Sequence, residues 1–113
     1  MISEVSPAHL SDWLQAARAH GQPVVLDVRE PQELQTASIR AGDFALVTIP
    51  MGEIPARLAE LDPAQPVACL CHHGGRSLRV ATFLAQNGFE HVVNITGGID
   101  AWSQQRDQSV PRY

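Results

Sequence analysis

The chain has 113 residues, 44% of them hydrophobic and 18% charged, a length and balance that suit one domain with a single core rather than two domains or a disordered segment. All eight basic residues are arginine, against twelve acidic ones, and a net charge of −4 offers no general attraction to nucleic acid or an anionic membrane, so any anion site must be local. No apolar stretch approaches the roughly 18 residues of a spanning helix, and MISEVSPAHL lacks the basic-then-apolar pattern of a leader, which makes the cytoplasm the expected compartment.

Along the chain, short β-rich runs alternate with helical patterns, the signature of an α/β domain on a mainly parallel sheet. Ser6-Pro7 predicts an N-cap with proline in the first turn, and Leu10, Trp13, Leu14 and Ala17 follow at helical spacing up to Gly21. PVVLDV (23–28) predicts a buried strand with Asp27 near its C-terminal end, the end where open α/β sheets carry their sites. REPQEL then opens a short helix. FALVTIP (44–50) predicts a second strand closed by Pro50, and Ile54, Leu58 and Leu61 predict a helix that stops before Asp62-Pro63. PVACLC (66–71) is the next strand. Val80, Phe83 and Leu84 mark a helix stopped at Asn87-Gly88, HVVNIT (91–96) the last strand, Gly97-Gly98 a turn, and Ile99 to Gln105 a final helix. The domain is expected over residues 1–106, with 107–113 (DQSVPRY) as a polar, loose tail.

The chemistry concentrates in CHHGGRS, residues 71–77, between a strand end and a helix start. Gly74 and Gly75 allow the backbone to curl so that successive N–H groups point inward, and the helix N-terminus adds unpaired N–H groups and about half a positive charge. Such a nest favours the anionic form of a sulfur held inside it, and Arg76 adds a full charge nearby. Cys71 is therefore the candidate nucleophile.

The other residues of the segment divide by geometry. Cys69 lies two residues back on the same strand face and reads as core packing, and a disulfide between the two cysteines across one residue of strand would be badly strained. A metal is not expected, because structural zinc sites draw ligands from two clusters and His9, His20 and His91 are scattered. His72 and His73 read as loop-wall side chains that either contact an anionic substrate or are simply solvated.

Four segments in this order, VVLDVREPQEL (24–34), TIP (48–50), CHHGGRS (71–77) and NITGGIDAW (94–102), resemble the single-domain rhodaneses, a sulfurtransferase family. The resemblance covers nearly the whole chain. It implies a three-layer α/β fold with a central, mostly parallel, five-stranded sheet and helices on both faces. It also implies that Cys71 carries sulfur as a persulfide, that His72, His73, Gly74, Gly75, Arg76 and Ser77 form the loop around it with Arg76 closing the loop, and that Asp27 and Arg29 support that loop. Two departures stand out: Ala37-Ser38-Ile39 where the family commonly has Gly-His-Ile, and His72 where a more strongly polar residue such as arginine is common. A mostly neutral imidazole attracts dianionic thiosulfate less than a guanidinium does.

The activity implied is thiosulfate:cyanide sulfurtransferase chemistry by double displacement, without a cofactor. The partners expected are a small anionic sulfur donor and a thiol or protein acceptor, with the domain acting as a monomer. Two other classes use similar parts. Cysteine phosphatases and arsenate reductases place five residues between Cys and Arg, whereas this loop has four (72–75), a smaller cradle that suits one sulfur better than a tetrahedral oxyanion. A non-catalytic binding module of the same fold typically lacks the cysteine.

Overall fold

In the computed structural model, which describes residues 2–113, five parallel strands form one sheet in the order β1-β5-β4-β2-β3. They are β1 (Ser3–Val5), β2 (Val24–Asp27), β3 (Ala45–Thr48), β4 (Val67–Leu70) and β5 (Val92–Ile95). Four of these match runs read from the sequence. The fifth, β1, carries no alternation to read: it is three residues long, mostly exposed, and made a strand by its pairing with Val93–Ile95.

Side chains of β2 and β4 alternate between two cores, as the period of two demands. Val25, Ala68 and Leu70 face one core with Leu10, Leu14, Ile99 and Trp102 from helices α1 (Leu10–Ala17) and α4 (Gly98–Gln105). Val24, Leu26, Val67, Cys69 and Cys71 face the other, against Val80, Ala81 and Leu84 of the helix at Gly75–Gln86 and against Ile54. With a short helix at Pro31–Thr36 as α2, that helix is α3, and helices cover both faces of the sheet. The N-cap of α2 is Glu30, whose side chain and that of Glu33 form a reciprocal capping box.

Two local expectations change. Ser6 caps no backbone group; its hydroxyl meets His9 Nδ1 at 3.0 Å, a 3-10 turn runs over Pro7–His9, and the α-helix proper begins at Leu10. The segment around Ile54, Leu58 and Leu61 is no α-helix but two 3-10 turns, Met51–Glu53 and Leu58–Glu60, joined by turns. Pro55 breaks the chain after the first of these turns, since it has no N–H to give the Met51 carbonyl and its ring clashes with that carbonyl. Ile54 and Leu61 still reach the core. In the Ala37-Ser38-Ile39 connection, Ala37 and Ile39 are buried and Ser38 donates to the Leu34 carbonyl.

The segment read as a polar tail, 107–113, lies against the domain: Val110 is 3% exposed within the α1/α4 core, and Ser103 donates to its carbonyl at 2.6 Å.

The topology fixes where a site can form. From β2 the chain steps outward to β3 and then returns to place β4 on the other side of β2. Open α/β sheets bind ligands outside the carboxyl ends of strands at such a reversal. The carboxyl ends of β2 and β4 run into Asp27–Arg29 and Cys71. Among the described residues no helix is long and apolar enough to cross a membrane.

Candidate active site

Cys71 follows the last residue of β4, and the turn from strand to helix takes only three residues, 72–74. Gly74 makes this possible with φ of +106°, a conformation costly for any residue with a Cβ. Gly75, by contrast, has an ordinary backbone angle and opens α3. So only one of the two loop glycines serves the tight turn.

The sulfur of Cys71 accepts the Gly74 N–H at 3.0 Å and lies 3.2 Å from the Ser77 hydroxyl. The N–H groups of Gly75, Arg76 and Ser77 precede the first helical bond, Leu78 N–H to the Gly74 carbonyl, so they leave the positive end of α3 uncapped beside the sulfur. Ser77 has one proton for three acceptors: Cys71 Sγ, the Gly74 carbonyl and Asn94 Oδ1. Asn94, a polar residue buried in β5, also donates to the Gly74 carbonyl at 3.0 Å and to Glu4 on β1 at 3.0 Å. The loop is thus braced from two strands behind it.

A second brace comes from α4. The N–H of Ile99 donates to the Cys71 carbonyl at 2.9 Å and that of Asp100 to the His72 carbonyl at 3.2 Å. A helix N-terminus has spare N–H groups, and here they hold the loop carbonyls. The approach is so close that a Cβ on Gly98, at φ +61°, would be driven into both carbonyl oxygens.

Arg76 points its guanidinium at Glu33 of α2 in a two-pronged ion pair of 2.7 and 2.8 Å. It closes the loop by tying it to α2, and its charge is shared with Glu33 rather than offered to the sulfur alone. This pairing, helped by the Tyr113 hydroxyl, holds the Glu33 carboxyl down at about 2. Asp27 and Arg29 form a wholly buried ion pair at 2.8 Å, with 1% and 0% of their side chains exposed. Arg29 also donates to the Glu33 carbonyl at 3.3 Å and to the Tyr113 hydroxyl at 3.1 Å, so the pair acts on the loop through α2. His72 and His73 stack on each other with centroids 3.9 Å apart. Cys69 is fully buried, and burial pushes its thiol well above the ordinary range, leaving it inert. Among the described residues no group of three or more His, Cys, Asp or Glu is arranged to hold a metal ion.

A strand-to-loop cysteine cradled by a helix N-terminus, in this strand order, invites comparison with known proteins. The model of the rhodanese-like domain matches residues 10–105. The chain belongs to the rhodanese-like domain family. It is 39% identical over 116 residues to the "Rhodanese-like/PpiC domain-containing protein 12, chloroplastic" of Arabidopsis thaliana, covering 99% of this chain but only 38% of that protein. It is 32% identical over 105 residues to a "Sulfurtransferase" of Allochromatium vinosum, covering 92% of this chain and 91% of that one. Among solved structures, a rhodanese-related protein from Thermoplasma volcanium superposes with a TM-score of 0.74 at 32% identity, over 92% of this chain and 93% of that one. The rhodanese-like domain thus has a sulfurtransferase among its relatives of similar length.

Several site residues of this rhodanese-like domain escaped the sequence reading. Asn94 carried a signal, a lone amide inside the apolar run HVVNIT that needed a buried partner. Glu33 and Gly98 were legible only as a helix residue and a turn residue. Tyr113 carried no signal at all.

Proposed function

We propose that this rhodanese-like domain is a sulfurtransferase that carries sulfane sulfur as a persulfide on Cys71. The observation that carries this reading is the pair of donors on one sulfur, Gly74 N–H at 3.0 Å and Ser77 Oγ at 3.2 Å, at the N-terminus of a 12-residue helix. Donors that cost no reorganisation when charge arrives are what a transferred anionic sulfur requires.

In the first step the Cys71 thiolate attacks the outer sulfur of thiosulfate. A Cys–S bond to that sulfur forms, the S–S bond of the donor breaks, and sulfite leaves with the bonding pair. The terminal persulfide sulfur keeps one negative charge. The N–H groups at the start of α3 and the Ser77 hydroxyl, turned from Asn94 toward the sulfur, hold that charge. In the second step a thiophilic acceptor such as cyanide takes the terminal sulfur, leaving as thiocyanate and returning the thiolate. Arg76 supplies the charge that draws an anionic donor to the loop, with His72 and His73 as polar walls beside it, and the natural acceptor is a thiol or a protein cysteine.

The test is intact-mass analysis after incubation with thiosulfate, with and without cyanide, alongside Cys71→Ser. Wild type should gain the mass of one sulfur and lose it to cyanide, and the variant should do neither. Absence of an adduct with both thiosulfate and a low-molecular-weight persulfide would sink the reading in favour of a binding module.

A further inference from the structure

We propose that Tyr113 is a positioning residue for His72, the residue that follows the loop cysteine, and through it a determinant of how the loop receives anions. The link to donor recognition rests on the sulfurtransferase reading above; the positioning does not. The Tyr113 ring lies parallel to the His72 imidazole, with centroids 3.8 Å apart and planes 8° from parallel, and His73 continues the stack. His72 Nε2 is 2.7 Å from the main-chain oxygen of Tyr113. That oxygen can only accept, so Nε2 carries a proton and donates it. Stack and hydrogen bond together select one rotamer and one protonated ring nitrogen.

The tyrosine is itself held from three directions. Its hydroxyl donates to Glu33 Oε2 at 2.7 Å and accepts from Arg29 Nη1 at 3.1 Å, and the Arg29 guanidinium lies 5.9 Å from its ring centroid. Just before it, Arg112 pairs with Asp100 of α4 at 2.8 Å and Val110 is anchored in the core. Tyr113 therefore joins the segment after β2, α2 and the loop that carries the cysteine. Yet it is 38% exposed, so its ring contributes little to the core and its removal leaves the fold standing. An imidazole already fixed on the loop loses no side-chain freedom when an anion arrives, whereas a free one must be ordered at that moment.

The experiment compares wild type with Tyr113→Phe, which keeps the stacking ring, and Tyr113→Leu, which does not. Nitrogen-15 NMR of the His72 ring reads its protonated nitrogen. The ratio of Cys71 alkylation by iodoacetate to that by iodoacetamide reads anion preference, because general loosening of the loop moves both rates together. Where thiosulfate turns over, its KM is read against kcat. The expected result is a fixed Nε2–H on His72 in wild type and Tyr113→Phe and its loss in Tyr113→Leu. The alkylation ratio should fall about 3- to 10-fold in Tyr113→Leu alone, with thiosulfate KM raised by a similar factor at little-changed kcat. The proposal is overturned if Tyr113→Leu keeps the His72 signature and the ratio, or if Tyr113→Phe loses as much as Tyr113→Leu. A chain that takes no sulfur from any donor removes the sulfurtransferase reading, while NMR and alkylation still decide the role of Tyr113.

Discussion

Ser77 shows how much of this site turns on single atoms. Its one hydroxyl proton has Asn94 Oδ1 and Cys71 Sγ as competing acceptors, and an anionic sulfur is the stronger claimant. Replacing it with alanine removes a charge-assisted bond worth about 1.5–3 kcal/mol, so persulfide formation in Ser77→Ala should slow roughly tenfold or more, read from the time course of the sulfur adduct. Because the same change strands the buried Asn94 oxygen, a loss of about 1–3 kcal/mol in urea unfolding should accompany it. Glu33 makes a different prediction. The two-pronged contact with Arg76 lowers its carboxyl from 4.5 to about 2, so the folded state binds this proton less readily than the unfolded chain. Its stabilisation is complete above about pH 4.5 and is lost as pH falls from there toward 2. Between pH 5 and 3, wild type should therefore lose more stability than Glu33→Gln.

At the scale of elements, the loop is held by helices rather than by itself. The N-terminus of α4 bonds the carbonyls of Cys71 and His72, which leaves the N–H side of the loop to the sulfur. Gly98→Ala should break this contact and destabilise by at least about 2 kcal/mol, since the left-handed backbone alone costs about 1–2 kcal/mol and the Cβ collides with both carbonyls. The sulfur adduct should then form slowly if at all. Gly75→Ala is the control. Its Cβ would meet open space at an ordinary backbone angle, so stability should stay level or rise by up to about 1 kcal/mol. The two glycines look alike in the sequence and differ because only one element packs a second backbone against it. The missing helix at Ile54–Leu61 is a local matter instead: apolar spacing suggested a helix, and Pro55, with no N–H to give the Met51 carbonyl, cuts that span off from the turn at Met51–Glu53.

Over the whole molecule, the segment 107–113 completes both the core and the surroundings of the site. Val110 packs with Phe44, Trp102 and the α1 face, and the residues after it reach Asp100, His72, Glu33 and Arg29. Val110→Ala should cost about 1–3 kcal/mol in chemical denaturation with an unchanged slope, and should weaken the hold on His72 as the anchor loosens. The sheet contributes in the same non-local way. Cys71 becomes a site residue because β4 lies beside β2, 43 positions away in register, at the point where the chain reverses direction across the sheet.

What the sequence by itself determined is whatever a short window can encode. Four apolar runs of strand length, the periodic faces of α1 and α3, and a cysteine followed by glycines and an arginine at a strand end all state their structure locally, because period and backbone freedom are properties of neighbouring residues. Family membership was legible for the same reason, since its motifs are short and ordered. The tertiary structure alone decided the partners: β1 became a strand through β5, Arg76 was given to Glu33, Asn94 to the loop, and Tyr113 to His72. These pairs lie between 20 and 90 residues apart, and no local pattern says which polar group a distant chain crossing will bring within reach.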